Sequence, residues 1–265
     1  MQASAATDDY ADSFISTLCD GSSLAYVVNP TADAFRELID TLEILDPDVR
    51  VLGDESVLNQ ACNDFMIASL AAEFVDQGHL SIRAAPCGDT TQIITPASVV
   101  PLIELDGTVS SIRTDGSTLA DDFDDMADRW EAAEPFSTET PPLSHIERSI
   151  ADDSVVYQTF MTLLDATDNV CSRGEGVGVV TLALLTAARH DLLLSQVACW
   201  AEHIGLANGS TVSRTKSDLT EAGLITTEKE TTQTGRPNQR LHLADEFADH
   251  STPRLVAAAQ SCLAD

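Results

Sequence analysis

The sequence predicts an α/β domain over residues 1–145, a largely parallel sheet with helices plus an antiparallel hairpin. A mainly helical domain closed by a β-hairpin follows over 146–265. Three observations predict this. Short apolar runs alternate with helix-period segments as far as about Trp130, the pattern of strands joined by covering helices. A stretch with three prolines, "EAAEPFSTETPPLSH" (131–145), interrupts the pattern and reads as an irregular linker. From Ile146 onward the periodicity is helical until a polar, β-branched run, "LITTEKETTQT", and a returning strand, "RLHLA", near the C-terminus.

In the first region a short helix, Asp9 to Leu18, precedes the strand "SLAYVVN", which ends at Asn29. Thr31 to Leu45 places Phe35, Leu38, Ile39 and Leu42 on one helical face, with Thr31 as N-cap. "VRVLGD" (49–54) is a second strand. Residues 55–78 read as one helix ending at Gly78, and "HLSIRAA" (79–85) as a third strand. Residues 91–116 read as strands joined by a turn at Asp106-Gly107, a strong hairpin dipeptide. A helix from Leu119 to Trp130 carries "DDFDDMADRW", a solvated face that lacks the glycine and terminal glutamate of an EF-hand loop.

Composition bounds the function. The 265 residues carry 43 Asp and Glu against 14 Lys and Arg, a formal charge of -29, with 43% apolar residues. The apolar fraction supports a real core, so the charge does not signal disorder. Acid in every segment and only two lysines, Lys216 and Lys229, point to a host with molar cytoplasmic salt, where carboxylates keep a surface hydrated. The six cysteines (19, 62, 87, 171, 199, 262) form no Cys-x-x-Cys pair and are expected to be small buried hydrophobes in a reducing compartment. No apolar run approaches the ~18 residues of a membrane span. "MQASAATDDYADSF" lacks a signal peptide's basic start and apolar core, so a cytoplasmic location is expected.

The second region carries the sharper signal. "DSVVYQTFMTLLDA" (153–166) and "GVVTLALLTAARH" (178–190) are apolar helices. In "LLSQVACWAEHIG" (193–205) Ser195 is the expected cap, and Val197, Trp200 and Ile204 face inward. "LANGS" forms a tight turn, and Ser210 is the expected cap of the next helix. Its buried stripe is Val212, Leu219 and Ala222; Gly223 ends it. The exposed face then holds Thr211, Ser213, Arg214, Lys216 and Ser217. Two helices across a short glycine-containing turn make a helix-turn-helix, whose second helix enters the major groove of double-stranded DNA. Arginine, serine and threonine are the residue types that read base edges and phosphates there. "LITTEKETTQT" and "RLHLA" are strands flanking "GRPNQ", whose tip presents Arg236, Asn238 and Gln239, with Arg240 following. Helix, helix and hairpin together give a winged helix-turn-helix, with the wing arginine suited to phosphates or the minor groove.

Charge sets this stretch apart. Gly209 to Leu243 holds five cations and four acids, a balance of +1, whereas residues 1–150 hold six cations and 28 acids, a balance of -22. The chain sheds acid where a polyanion would dock. At molar salt the Debye length is ~3 Å, so a few direct hydrogen bonds replace a broad basic patch.

"SRTKSDLTEAGLI" followed by "TGRPNQRLHLA" resembles the haloarchaeal winged-helix regulators around TrmB, most closely the TbsP type; "LAYVVNPT" and "VRVLGDES" look like that type as well. TrmB-like proteins commonly put the DNA-binding domain first, whereas here it comes last, so their ligand pocket does not carry over. The resemblance implies regulation of sugar-metabolism genes, with a glycolytic metabolite as effector.

Ligands of open α/β sheets bind beyond the carboxyl ends of the strands, which makes Asn29, Thr31, Asp54 and Ser56 the candidate effector residues. Thr31 and Ser56 serve equally well as plain N-caps. No Gly-x-Gly-x-x-Gly follows the first strand. "GEGVGV" near Gly174 reads as a helix entry, and His79 as a lone structural histidine. No catalytic constellation, metal site or cofactor motif is expected. A homodimer is, because two-fold proteins read paired half-sites. The terminal helix with Leu255, Ala259 and Leu263 either serves that interface or packs on its own domain. Two alternatives stand beside the regulator: a metabolite-binding α/β enzyme with an accessory winged helix, and a protein-interaction adaptor.

Overall fold

The structure, a computed structural model, describes residues 3–19, 24–45, 47–105, 108–115, 119–150, 154–167, 177–230 and 238–263. Contacts divide the chain into two compact units. One comprises residues 1–63 and 67–138; the other comprises 139–265 together with 64–66.

In the first unit α1 (Ala3–Leu18) leads into β1 (Leu24–Val28), α2 (Ala32–Leu42), β2 (Asp48–Gly53), α3 (Glu55–Ala61), α4 (Phe65–Gln77) and β3 (Leu80–Ala84). Strands β1, β2 and β3 are mutually parallel, with Val27 opposite Val51 and Val51 opposite Ile82. Then come β4 (Thr91–Ile94), β5 (Ser98–Leu105), β6 (Thr108–Ser111), β7 (Thr114–Asp115), α5 (Leu119–Ala132) and β8 (Glu134–Pro135). β4 runs antiparallel beside β1, and β5 and β6 continue outward, giving the order β6-β5-β4-β1-β2-β3-β8 with β7 on β5. The α/β sheet thus has a parallel centre and an antiparallel flank.

The apolar run of β1 follows from burial on both faces. Ala25 and Val27, with Val49 and Val51, join Phe14 of α1, Phe35 and Leu38 of α2 and Ala68 of α4 in one core. Tyr26, Val28 and Leu52 face the other way, against Met126 and Trp130 of α5. Tyr26 meets Trp130 edge-on at 6.0 Å, and the guanidiniums of Arg50 and Arg83 stand over the Trp130 ring at 5.6 and 5.0 Å.

Several elements differ from expectation. The helix expected over 55–78 is two, α3 and α4, because Asp64 Oδ1 accepts from Met66 N at 3.0 Å and starts a new helix within "CND". The proline-rich stretch is not wholly irregular: Glu134–Pro135 pairs with β3, and its C-terminal end opens α6 (Leu143–Ile150). A second tight turn joins β4 to β5, held by Thr95 Oγ1 on the Ser98 amide at 3.0 Å. Leu105 pairs with Thr108 across the expected Asp106-Gly107 turn, whose two residues lie outside the described residues. Thr31 caps α2 as expected, accepting from Ala34 N at 3.1 Å. At α3 the cap position is Asp54, and Ser56 lies inside the first turn. Cys62 is buried, but Cys19 and Cys199 are exposed and Cys87 and Cys262 half-buried, so burial does not describe the cysteines as a class; Cys171 lies outside the described residues. Among the described residues, no helix is long and apolar enough to cross a membrane.

The second unit is α6, α7 (Ser154–Asp165), α8 (Val179–Arg189), α9 (Leu194–His203), α10 (Gly209–Glu221), the antiparallel pair β9 (Ile225–Glu230) and β10 (Asn238–Leu243), and α11 (Thr252–Leu263). Gly178 caps α8, the helix entry expected of "GEGVGV". Phe160, Leu182, Leu185, Val197, Val212, Leu219, Leu241 and Val256 share one core. Leu255 and Ala259 are fully buried in it, so α11 packs on its own domain.

Candidate nucleic-acid interface

The site starts with the turn between α9 and α10. Gly205 takes φ +76, and Leu206 N reaches back to Ala201 O at 2.8 Å, reversing the chain within a few residues. The cap of α10 is Asn208 rather than Ser210. Its Oδ1 accepts from Thr211 N at 2.9 Å and from the hydroxyls of Ser210 and Thr211. Asparagine ranks with serine as an N-cap, and here the residue preceding the glycine wins. At α9 the cap is likewise Leu193 rather than Ser195, with Gln196 Oε1 accepting from Leu193 N at 2.9 Å.

Val212 and Leu219, both fully buried, fix the rotation of α10. That rotation leaves Ser210, Ser213, Arg214 and Ser217 exposed, with Thr211 and Lys216 half-buried at the margins. Ser217 Oγ donates to Ser213 O at 3.0 Å, which leaves its lone pairs outward as acceptors. Among the described residues neither Arg214 nor Lys216 forms an ion pair. In a chain of charge -29, the unpaired Arg214 stands exposed on a serine-rich helix face, with the unpaired Lys216 at its margin. On one flank Thr211, Arg214 and the exposed Asp218 line a polar cleft of about 810 Å³.

The hairpin behaves differently. β9 and β10 pair from Ile225–Leu243 to Glu230–Asn238. Asn238 and Gln239 therefore belong to β10 rather than to the tip, and Arg236 lies outside the described residues. Arg240 is half-buried and its guanidinium is engaged within the domain. Its Nη2 meets Glu230 Oε1 at 2.6 Å and its Nη1 donates to Asp191 O, and the Glu230 hydrogen bond, ahead of other causes, holds its pKa above the ordinary guanidinium value. Leu241 N donates to Leu192 O at 2.9 Å, and Leu193 makes an isolated β-bridge to Arg240, so the segment after α8 lies against the outer edge of β10.

The candidate effector residues fall together at one edge of the other unit, because parallel pairing sets the carboxyl ends of β1 and β2 side by side. Asn29 has φ +49, donates to Leu52 O at 2.7 Å and accepts on its carbonyl from Thr91 Oγ1 at 2.8 Å. Thr31 is committed to capping. Asp54 is half-buried with no capping bond, and Ser56 is exposed. Sequence reasoning missed Cys87, whose Sγ lies 3.2 Å from Ala85 O; burial chiefly raises its thiol pKa, and nearby Arg129 opposes this. No local pattern could have linked Cys87 and Arg129 to Asn29. Among the described residues no group of three or more His, Cys, Asp or Glu could hold a metal ion.

A three-helix core with a short turn, a capped and outward-facing second helix and an antiparallel hairpin defines a winged helix-turn-helix domain, here preceded by an α/β domain. The N-terminal domain model of TbsP-like transcriptional regulators matches residues 2–141, and their C-terminal HTH domain model matches 142–260. The chain belongs to the TbsP-like transcriptional regulators. No curated protein matches it. Among solved structures it is similar to TrmBL2, an archaeal chromatin protein with a novel mode of DNA binding, at 14% identity and TM-score 0.34, over 48% of this chain and 52% of that one. The chain thus spans about half the length of TrmBL2. It is also similar to Nuc, a phospholipase D family member from Salmonella typhimurium, at 15% identity and TM-score 0.33, over 48% of this chain and 90% of that one. Likeness at these scores carries no functional weight.

Proposed function

We propose that this regulator is a sequence-specific, double-stranded-DNA-binding homodimer controlling sugar-metabolism genes in the cytoplasm of a halophilic cell, and not an enzyme. Helix α10 enters the major groove, with Arg214, Lys216, Ser210, Thr211, Ser213 and Ser217 as the reading set. Arg236 and Asn238 on the wing reach the backbone or minor groove. Arg240 holds the wing rather than the DNA. A glycolytic metabolite binds the α/β domain at the β1–β2 edge, near Asn29, Thr31, Asp54 and Ser56, and modulates binding.

The observation that carries this proposal is the exposed, unpaired Arg214 among Ser210, Ser213 and Ser217 on α10, with the unpaired Lys216 half-buried at the margin, in a chain of charge -29. Acid is kept off that face until Asp218. The test is genome-wide occupancy in the native host, wild type against Arg214→Ala. Discrete peaks lost in the variant, with an unchanged melting temperature, are expected. A bidentate arginine–guanine contact is worth ~1–3 kcal/mol, so affinity at the peak sequences should fall roughly 5- to 150-fold. A flat wild-type profile would remove the proposal and leave the adaptor.

A further inference from the structure

Among the described residues, four helices end in the same way. The residue after the cap has positive φ, +82 at Gly78, +53 at Asp191, +76 at Gly205 and +74 at Gly223. In each case the following amide reaches back six residues' span: His79 N to Phe74 O, Leu192 N to Ala187 O, Leu206 N to Ala201 O and Leu224 N to Leu219 O. This is the Schellman ending, in which glycine is favoured because a Cβ is penalised in the left-handed region. Three of the four ends use glycine. The end of α8 uses aspartate.

The aspartate has one side-chain partner, His242, that explains its presence. Residues 240 and 242 lie two apart on β10 and so share one face of the strand. His242 Nδ1 donates to Asp191 Oδ1 at 2.5 Å, and Arg240 Nη1 donates to Asp191 O at 2.5 Å. Glu230 on β9 takes the second Arg240 nitrogen at 2.6 Å, and Glu228, also on β9, stands 3.7 Å from His242 Nε2. One residue at the α8–α9 corner therefore holds both basic side chains of β10, His242 by its carboxylate and Arg240 by its backbone carbonyl. The hairpin base is already held by the Leu192–Leu241 hydrogen bond and by burial of Leu241. The Asp191 carboxylate adds to that base through His242, between Leu241 and Leu243, and its carbonyl holds Arg240 one residue further out, where the two strands leave the fold.

We propose that Asp191 is the positioning residue of the wing, and that it sets wing direction for DNA recognition; the second clause rests on the DNA-binding role proposed above. The test uses Asp191→Gly in the full-length chain. Glycine suits this backbone, as the other three helix ends demonstrate, so the substitution removes only the carboxylate. Hydrogen exchange followed by mass spectrometry should show amides of Ile225–Glu230 and Asn238–Leu243 exchanging roughly three- to tenfold faster, the range for one charge-assisted, partly exposed bond, with α8 unchanged. Affinity for a fragment carrying an occupied genomic site should fall several-fold at fixed salt. Asp191→Asn, which keeps a side-chain acceptor oxygen and tolerates the left-handed region, should restore most of both.

Exchange unaltered in Asp191→Gly overturns the anchor. Faster exchange with unaltered affinity, where Arg214→Ala still weakens binding, overturns the positioning role. Should Arg214→Ala also leave affinity unaltered, the DNA-binding proposal has failed, and the positioning clause with it, while the exchange result alone decides the anchor.

Discussion

Single residues in this chain are decided by what surrounds them. Cys62 lies between α3 and α4, where burial pushes its thiol up from the ordinary 9.0 to about 12. The folded thiol stays protonated where the unfolded one ionises. Its stabilising contribution is complete below pH 9 and is lost as pH rises from 9 through 12. Iodoacetamide at pH 8 should therefore label Cys19 and Cys199, both exposed, well before Cys62. Peptide mapping showing Cys62 labelled at an equal rate would contradict the burial argument. Asn208 is a second such position: it was legible as a turn residue, yet its role as the cap of α10 depends on geometry. Asn208→Ala should lower the stability of the second unit by about 1 kcal/mol in urea titrations, with no loss of secondary structure elsewhere. An unchanged midpoint would mean that Ser210 takes over the cap.

Elements were legible where periodicity was strong. β1 to β3, α2 and α5 stand close to where the apolar spacing places them, since a strand buried on both faces and a one-sided helix leave different patterns. Errors concentrated where a polar residue acts through its hydrogen bonds. Asp64 splits a helix that apolar spacing alone runs straight through. Pro135 pairs as the last strand of the sheet, because an edge strand tolerates a residue with no amide to donate. The wing shows the same limit. Arg240 looks like Arg214 in sequence, and only strand register, which turns it toward Asp191 and Glu230, separates the fastened cation from the outward one.

Over the whole molecule the dominant quantity is a formal charge of -29 spread over 265 residues. Like charges repel in the compact state, and this repulsion is screened within a Debye length that shrinks from ~10 Å at 0.1 M salt to ~3 Å at 1 M. The melting temperature should accordingly rise steeply between 0.1 and 1 M KCl, as differential scanning calorimetry would show. A flat response would mean that the acidic surface does not govern stability. DNA binding should show a shallow salt slope, corresponding to the neutralisation of only a few phosphates, because the unpaired cations on α10 are just Arg214 and Lys216. A slope matching six or more phosphates would require basic residues beyond those on this helix.

The sequence by itself determined the types of the strongly periodic elements, the presence of an α/β half and a winged-helix half, and the stretch where acid is withheld. These are properties of local spacing and composition, which each segment carries without its neighbours. Only the tertiary structure decided which caps win, which cations are consumed, and which residues meet at the β1–β2 edge. Those outcomes depend on register and helix rotation, set by burial of residues such as Val27, Val212 and Leu219, and a side chain's partner across the fold leaves no mark on its own segment.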